Sequence, residues 1–219
     1  MRCLRRDGDI SMIKLVLASR NKKKIRELET LLGDLSSKVQ VLSLDDIGFF
    51  DEIVEDGDTF AENSLIKASV PAKLGYIGIA DDSGLTVDAL DGAPGVYSAR
   101  YSGEGATDGK NNQKLLSELE NVPDEKRGAQ FRTVVTCAFP DGTDFQVEGV
   151  CEGTILRAPD GEGGFGYDPL FYYAPLKKTF AALSADEKNA VSHRGKAMRK
   201  FIEKFKEYLN TTENTNADK

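Results

Sequence analysis

At 219 residues and 40% hydrophobic, the chain suits one domain, or one domain divided into two lobes, and is too mixed in composition for disorder. A net charge of -7 excludes a broad nucleic-acid-binding surface, although a local cluster such as Lys22, Lys23 and Lys24 can still dominate a cleft and hold phosphate. No apolar run approaches the ~20 residues needed to span a bilayer, and the arginine-bearing stretch from Met1 to Met12 lacks the apolar core of a signal peptide, so a cytoplasmic location is expected.

Residues 1–11 are expected to form a flexible extension ahead of a single catalytic domain over 12–209. The apolar run Ile13–Ala18 predicts a buried strand entering the turn Ser19-Arg20-Asn21. Lys22–Leu32 then sets Ile25, Leu28, Leu31 and Leu32 on one helical face, and Gly33 stops it. A strand over Val39–Ser43 follows. Thr59 and Glu62 form a capping-box pattern that starts a helix running to about Leu74. A strand over Tyr76–Ala80 is expected to end at Asp81-Asp82-Ser83-Gly84. After the Gly- and Pro-rich stretch Gly92–Gly95 comes a helix around Lys110–Leu119. Phe131–Phe139 and Phe145–Gly153 flank Pro140-Asp141-Gly142-Thr143 as a β-hairpin. Asp160–Gly166 is a glycine-rich loop leading to the apolar Leu170–Tyr173. A short helix capped by Ser184 precedes a long one from His193 to about Leu209, and residues 210–219 read as a disordered polar tail. Alternating strands and helices early, with a hairpin late, predict an α/β fold on a mixed sheet. Cys3, Cys137 and Cys151 show no metal or disulfide spacing, and the latter two read as buried strand residues.

Five segments could carry chemistry, and each also has a plainer reading. Ser19–Lys24 joins a strand to a helix, where free N–H groups and the helix dipole favour phosphate; it is not a Walker A loop, and could be a solvated helix start. Asp81 and Asp82 sit at the expected end of a buried strand, where one carboxylate could hold a divalent metal or orient a water; they could equally stabilise a turn. Among Glu52, Glu55, Asp56 and Asp58, one acid could complete a magnesium site, or all could be ordinary partners of a helix N-terminus. In Gly163–Pro169, Phe165 could stack on a base or plug the core. His193-Arg194 opens the last helix as either a ligand contact or a surface pair. The single histidine excludes multi-histidine metal sites, and no GxSxG elbow is present.

In their order along the chain, Ser19–Lys24, Thr59–Ala68, Ala80–Leu85, Gly92–Arg100, Phe165–Asp168 and Ser192–Ala197 resemble the Ham1/RdgB-like family of inosine/xanthosine triphosphate pyrophosphatases, from about Ile13 to Leu209. Arg20 departs from the family, which commonly has glycine there. The resemblance implies a mixed twisted sheet with flanking helices, two lobes around a central substrate cleft, and a homodimer. It implies magnesium-dependent hydrolysis of dITP, ITP and XTP to the monophosphate and pyrophosphate, which keeps deaminated purines out of nucleic acids. By matched position, Asp82 would be the general base or, beside a metal, the group that activates the attacking water, with Glu55 the second metal carboxylate. Lys24 and Lys67 would hold phosphates. Ser19, Arg20, Asn21, Lys22 and Lys23 would line the phosphate loop, and Ser83, Phe165, Gly166, Tyr167, Asp168, Lys188, His193 and Arg194 would contact the nucleotide. The rival readings are a Maf-like pyrophosphatase acting on other modified nucleotides and a non-catalytic nucleotide sensor.

Overall fold

The structure is a computed structural model that describes residues 12–217, with the side chains of Lys23 and of residues 212–217 left aside. The expected N-terminal extension, 1–11, lies outside the described residues, as does Cys3. Strands β1 (Ile13–Leu17), β2 (Val39–Ser43), β3 (Ile77–Val87), β4 (Gly128–Ala138), β5 (Asp144–Ile155), β6 (Phe171–Tyr173) and β7 (Lys178–Thr179) form one sheet in the order β2-β1-β3-β4-β5-β6-β7. Helices are α1 (Lys22–Leu32), α2 (Phe60–Lys73), α3 (Asp108–Glu118), α4 (Ala185–Val191) and α5 (His193–Ala217).

The sheet is mixed, as expected. β1 pairs in parallel with β2 on one side and β3 on the other, because α1 and α2 return the chain to the same end of the sheet before each new strand. β6 runs antiparallel to β5, after the long stretch 156–170, and to β7, across the short stretch 174–177. The described residues divide into two compact units, one holding 12–54, 65–80 and 136–145, the other 55–64, 81–135 and 146–217.

In the first unit, Leu15, Val16 and Leu17 of β1 and Leu28 and Leu32 of α1 are buried, and Ala68, Ala72, Ala80 and Ala138 make a small-residue cluster. Its turn at 140–143 closes through Asp141, whose Oδ1 accepts from the Thr143 amide at 2.9 Å and hydroxyl at 2.6 Å. In the second unit the core is aromatic: Phe171 packs against Phe131 at 4.5 Å and against Phe180 at 4.8 Å between ring centroids. Each such ring contributes roughly 1.5–3 kcal/mol by leaving water. Cys137 and Cys151 are buried strand residues with free thiols, and burial pushes Cys151 up to about 11. Among the described residues no helix is long and apolar enough to cross a membrane.

Two expectations are corrected. β3 does not stop at Ala80 but continues through Asp81-Asp82-Ser83-Gly84 to Val87. Leu85 and Val87 are fully buried, so apolar anchors on both sides hold the polar stretch extended and override its turn-like composition. α5 runs to Ala217, so the backbone of 210–217 is helical where a disordered tail was expected. A helix already anchored by buried Phe201, Phe205 and Leu209 adds further residues cheaply, even poor helix formers.

Candidate active site

In the first unit, β1 delivers the chain into α1 through Ser19-Arg20-Asn21. Asn21 stands at the helix N-terminus, with its carbonyl accepting from Ile25 N at 3.2 Å, and Ser19 Oγ accepts from Asn21 N at 3.1 Å. Arg20 is anchored away from the loop's own backbone: Nε donates to Asp45 Oδ1 at 3.0 Å, and Nη2 to the carbonyls of Phe49 at 3.2 Å and Asp51 at 3.0 Å. The Arg20 side chain thus ties the loop to the segment 45–51. Lys22 is exposed, while Lys24 and, on α2, Lys67 are half-buried.

In the second unit, the strand geometry of β3 separates the two adjacent aspartates, because successive side chains leave opposite faces. Asp81 is buried and lies 3.8 Å from Arg194 Nε, whereas Asp82 is half-buried. Glu55, also half-buried, precedes a segment fixed by the start of α2. Thr59 Oγ1 accepts from Glu62 N at 3.1 Å, and Glu62 Oε2 accepts from Thr59 N at 3.0 Å and Asp58 N at 2.8 Å, completing the expected capping box. Asn63 Oδ1 accepts from Gly57 N at 2.9 Å.

Seven of the expected nucleotide contacts come together. Ser83, Phe165, Gly166, Tyr167, Asp168, Lys188 and His193 line one cavity of about 250 Å³, whose wall also includes Phe131. Phe165 is 73% exposed, an unusual setting for so large an apolar ring. Its backbone N–H donates to Asp168 Oδ2 at 2.8 Å, and the same carboxylate takes a short ion pair from Lys188. Gly164 permits this: a Cβ there would meet the Asp168 carboxylate, and its φ of +79° suits glycine. Lys188 Nζ also sits 4.5 Å from the centre of the Phe165 ring, a cation–π contact.

α4 and α5 present the last two groups. Ser184 and Glu187 cap α4 reciprocally, and Ser192 both ends α4 and caps α5 by accepting from Gly195 N at 3.1 Å. Gly195 lets the helices close, since a Cβ would meet the Asn189 carbonyl. His193 therefore opens α5 with its imidazole stacked on Phe131, centroids 4.9 Å apart at 15°. Its Nδ1 is buried without a hydrogen-bond partner among the described residues. Burial pushes the imidazole down to about 3, and the nearby charges of Lys188 and Arg194 push the same way, so it is neutral at pH 7. Tyr167 donates its hydroxyl to Ser98 O at 2.9 Å, and burial raises its pKa.

Arg194, Asp82 and Glu55 belong to the same unit but do not line this cavity; Ser19–Lys24 and Lys67 belong to the other unit. Sequence reasoning missed Asp108 and Asn111, which do line it. Asn111 is buried and joins α3 to the 98–102 stretch: Oδ1 accepts from the Ser102 amide at 2.8 Å and hydroxyl at 2.7 Å, and Nδ2 donates to Ser98 O and Ala99 O. An asparagine at a core-facing helix position was the available signal.

The family model described as the Ham1 family matches residues 15–204. A dITP/XTP pyrophosphatase from Desulforamulus reducens is 54% identical over 192 residues, covering 87% of this chain and 94% of that protein. One of the same name from Geobacter sulfurreducens is 54% identical over 188 residues, covering 85% and 94%. Among solved structures, a HAM1 protein from Coxiella burnetii superposes with a TM-score of 0.84 at 42% identity, covering 90% of this chain and all of that one.

Proposed function

We infer that this chain, which belongs to the Ham1 family, is a nucleoside-triphosphate pyrophosphatase that hydrolyses deaminated purine nucleotides (dITP, ITP and XTP) to the monophosphate and pyrophosphate. The observation that carries the reading is the cavity in which Phe165, Lys188 and a neutral His193, whose buried Nδ1 has no hydrogen-bond partner among the described residues, stand together. A flat exposed ring offers stacking to any base. A buried polar atom without a partner is costly, on the order of 1–3 kcal/mol, and a ligand's polar edge would relieve it.

Asp82 is the group we assign to take the proton of the attacking water, as the less buried of the two aspartates; Asp81 is held by Arg194. Lys24 and Lys67 would hold the phosphates, with Ser19, Asn21 and the backbone at the start of α1, and Lys22 and Lys23 would add positive charge. Arg20 braces that loop through Asp45 and the carbonyls of Phe49 and Asp51. Glu55 and Asp82 are the residues that would hold magnesium, which when bound neutralises phosphate charge. Among the described residues no group of three or more His, Cys, Asp or Glu gathers. Magnesium ordinarily takes one or two carboxylates plus substrate oxygens, which is the number of carboxylates this assignment asks of the protein. A homodimer and a cytoplasmic location complete the proposal.

Base selectivity follows from hydrogen-bond polarity. Inosine and xanthosine carry a 6-oxo acceptor where adenosine carries a 6-amino donor. Donors near His193 and Arg194 would face another donor when ATP enters, at a cost on the order of 1–3 kcal/mol, or about 5- to 150-fold in kcat/KM. Pyrophosphate release from dITP, ITP, XTP, ATP and GTP tests this; comparable kcat/KM for ATP and ITP would refute the pocket reading, and absence of release from all five would refute the activity.

A further inference from the structure

Phe165 combines an exposed side chain with a backbone that is unusually well held, and the hold comes from α3. Asp108 and Asn112 are one turn apart on that helix, hence on one face. Asp108 Oδ2 accepts from Gly166 N at 2.6 Å, and Asn112 Nδ2 donates to Gly166 O at 2.9 Å. One residue is thereby gripped on both its donor and its acceptor, at a sequence separation of 58 and 54 residues. With the Phe165 N–H on Asp168 and the Phe165 carbonyl accepting from Asp168 N at 3.2 Å, every backbone polar group of Phe165 and Gly166 is engaged. An aspartate in the first turn of a helix ordinarily serves the helix dipole. Here Thr107 already caps α3, accepting from Lys110 N at 3.3 Å, and the Asp108 carboxylate reaches across to the loop instead.

We propose that Asp108 and Asn112 are positioning residues that hold the Phe165 loop in its ligand-ready conformation, so that the base meets a preformed stacking surface. The proposal rests on the nucleotide reading of the cavity. It requires an acceptor at position 108 and a donor at position 112, and neither side chain needs to touch the reacting phosphates. Rigidifying a binding loop in its bound conformation raises affinity by removing the cost of ordering it. A loop that loses one grip and is competent only about a tenth of the time weakens apparent affinity about tenfold, leaving the chemical step unchanged.

The test measures pyrophosphate release from ITP together with hydrogen exchange at the Phe165 and Gly166 amides. Asp108→Ala and Asn112→Ala are expected to raise KM about tenfold with kcat within about twofold of wild type, and to speed exchange at those amides without changing global unfolding. Asp108→Asn keeps an acceptor and is expected to recover most of what Asp108→Ala loses. Asn112→Asp is nearly isosteric but sets an acceptor against the Gly166 carbonyl, so it is expected to be as damaging as Asn112→Ala. Unchanged KM in both alanine variants, a loss confined to kcat, or Asp108→Asn as impaired as Asp108→Ala would each overturn the proposal. A wild-type enzyme that releases no pyrophosphate from ITP overturns the substrate reading and this inference with it. Wild-type turnover beside unaltered variants overturns the inference alone.

Discussion

Replacing His193 with phenylalanine isolates the cost of keeping an imidazole neutral in the cavity wall. The folded-state pKa lies at about 3 against an ordinary value of 6.5, chiefly through burial. Its place at the start of α5 adds to this, because the positive end of a helix disfavours a cation. Between those two values the unfolded chain binds a proton that the folded protein refuses. The histidine's contribution is therefore fully present above pH 6.5 and declines as pH falls toward 3. One proton is worth about 1.36 kcal/mol per pH unit, so moving from pH 7.5 to pH 5 removes about 2 kcal/mol, trimmed toward 1 by solvent at the exposed part of the ring. Asp46 and Glu187 have pKa values lowered from ordinary values of 3.8 and 4.5, and so contribute their losses mainly below pH 5. Phenylalanine preserves the stack on Phe131 and cannot titrate. The chain has no tryptophan, so urea unfolding followed by far-UV circular dichroism is the suitable assay. Wild type should lose about 1–2 kcal/mol more than His193→Phe between the two pH values. Parallel losses in the two proteins would refute the reasoning.

Asp82→Asn should fold as wild type and lose on the order of 10²- to 10⁴-fold in kcat, the usual contribution of a positioned base; near-normal turnover in steady-state kinetics would shift the assignment to Asp81. Excess EDTA should abolish pyrophosphate release while leaving the far-UV spectrum unchanged, because the proposed magnesium is held by two carboxylates and the substrate and has no structural cage to support. Full turnover under chelation would remove the metal from the reaction.

What the sequence disclosed was mainly local. The capping box of Thr59 with Glu62 and the cap at Ser184 could be read, since both satisfy their bonds within one turn; that Glu187 completes a second box came from the structure. α1 and β2 have the bounds their hydrophobic periodicity and turn residues dictate. β7 was invisible because two residues, Lys178 and Thr179, carry no period and exist as a strand only through pairing with β6. β3 was cut short because composition at Asp81–Gly84 speaks of a turn, while its continuation depends on the buried Leu85 and Val87 beyond. At the site, the residue types around Phe165 and His193 were legible. Their convergence was supplied by the resemblance, since no local rule links residues 83, 165 and 193. The grip of Asp108 and Asn112 on Gly166 was beyond reach, because it is a contact between a helix start and a loop more than fifty residues away.

The Lys188–Asp168 pair bears on why the cavity suits a ligand better than a purely structural role. The carboxylate side chain is only 3% exposed and the ammonium side chain 18%, so both charges have given up most of their hydration. Such a pair does not outperform apolar side chains of the same size in holding a fold together, and replacement is often neutral or stabilising. Stability alone therefore gives little reason for it to stand here. Its partners supply another reason: Asp168 fixes the Phe165 amide, and Lys188 lies over the face of the exposed Phe165 ring. A hydrophobic substitute would keep the packing and release the loop. An aromatic ring left in water forfeits roughly 1.5–3 kcal/mol of burial, and only a ligand that covers it can return that. On the proposed nucleotide reading, the charged pair and the exposed ring meet one requirement, a stacking surface held open for an occupant.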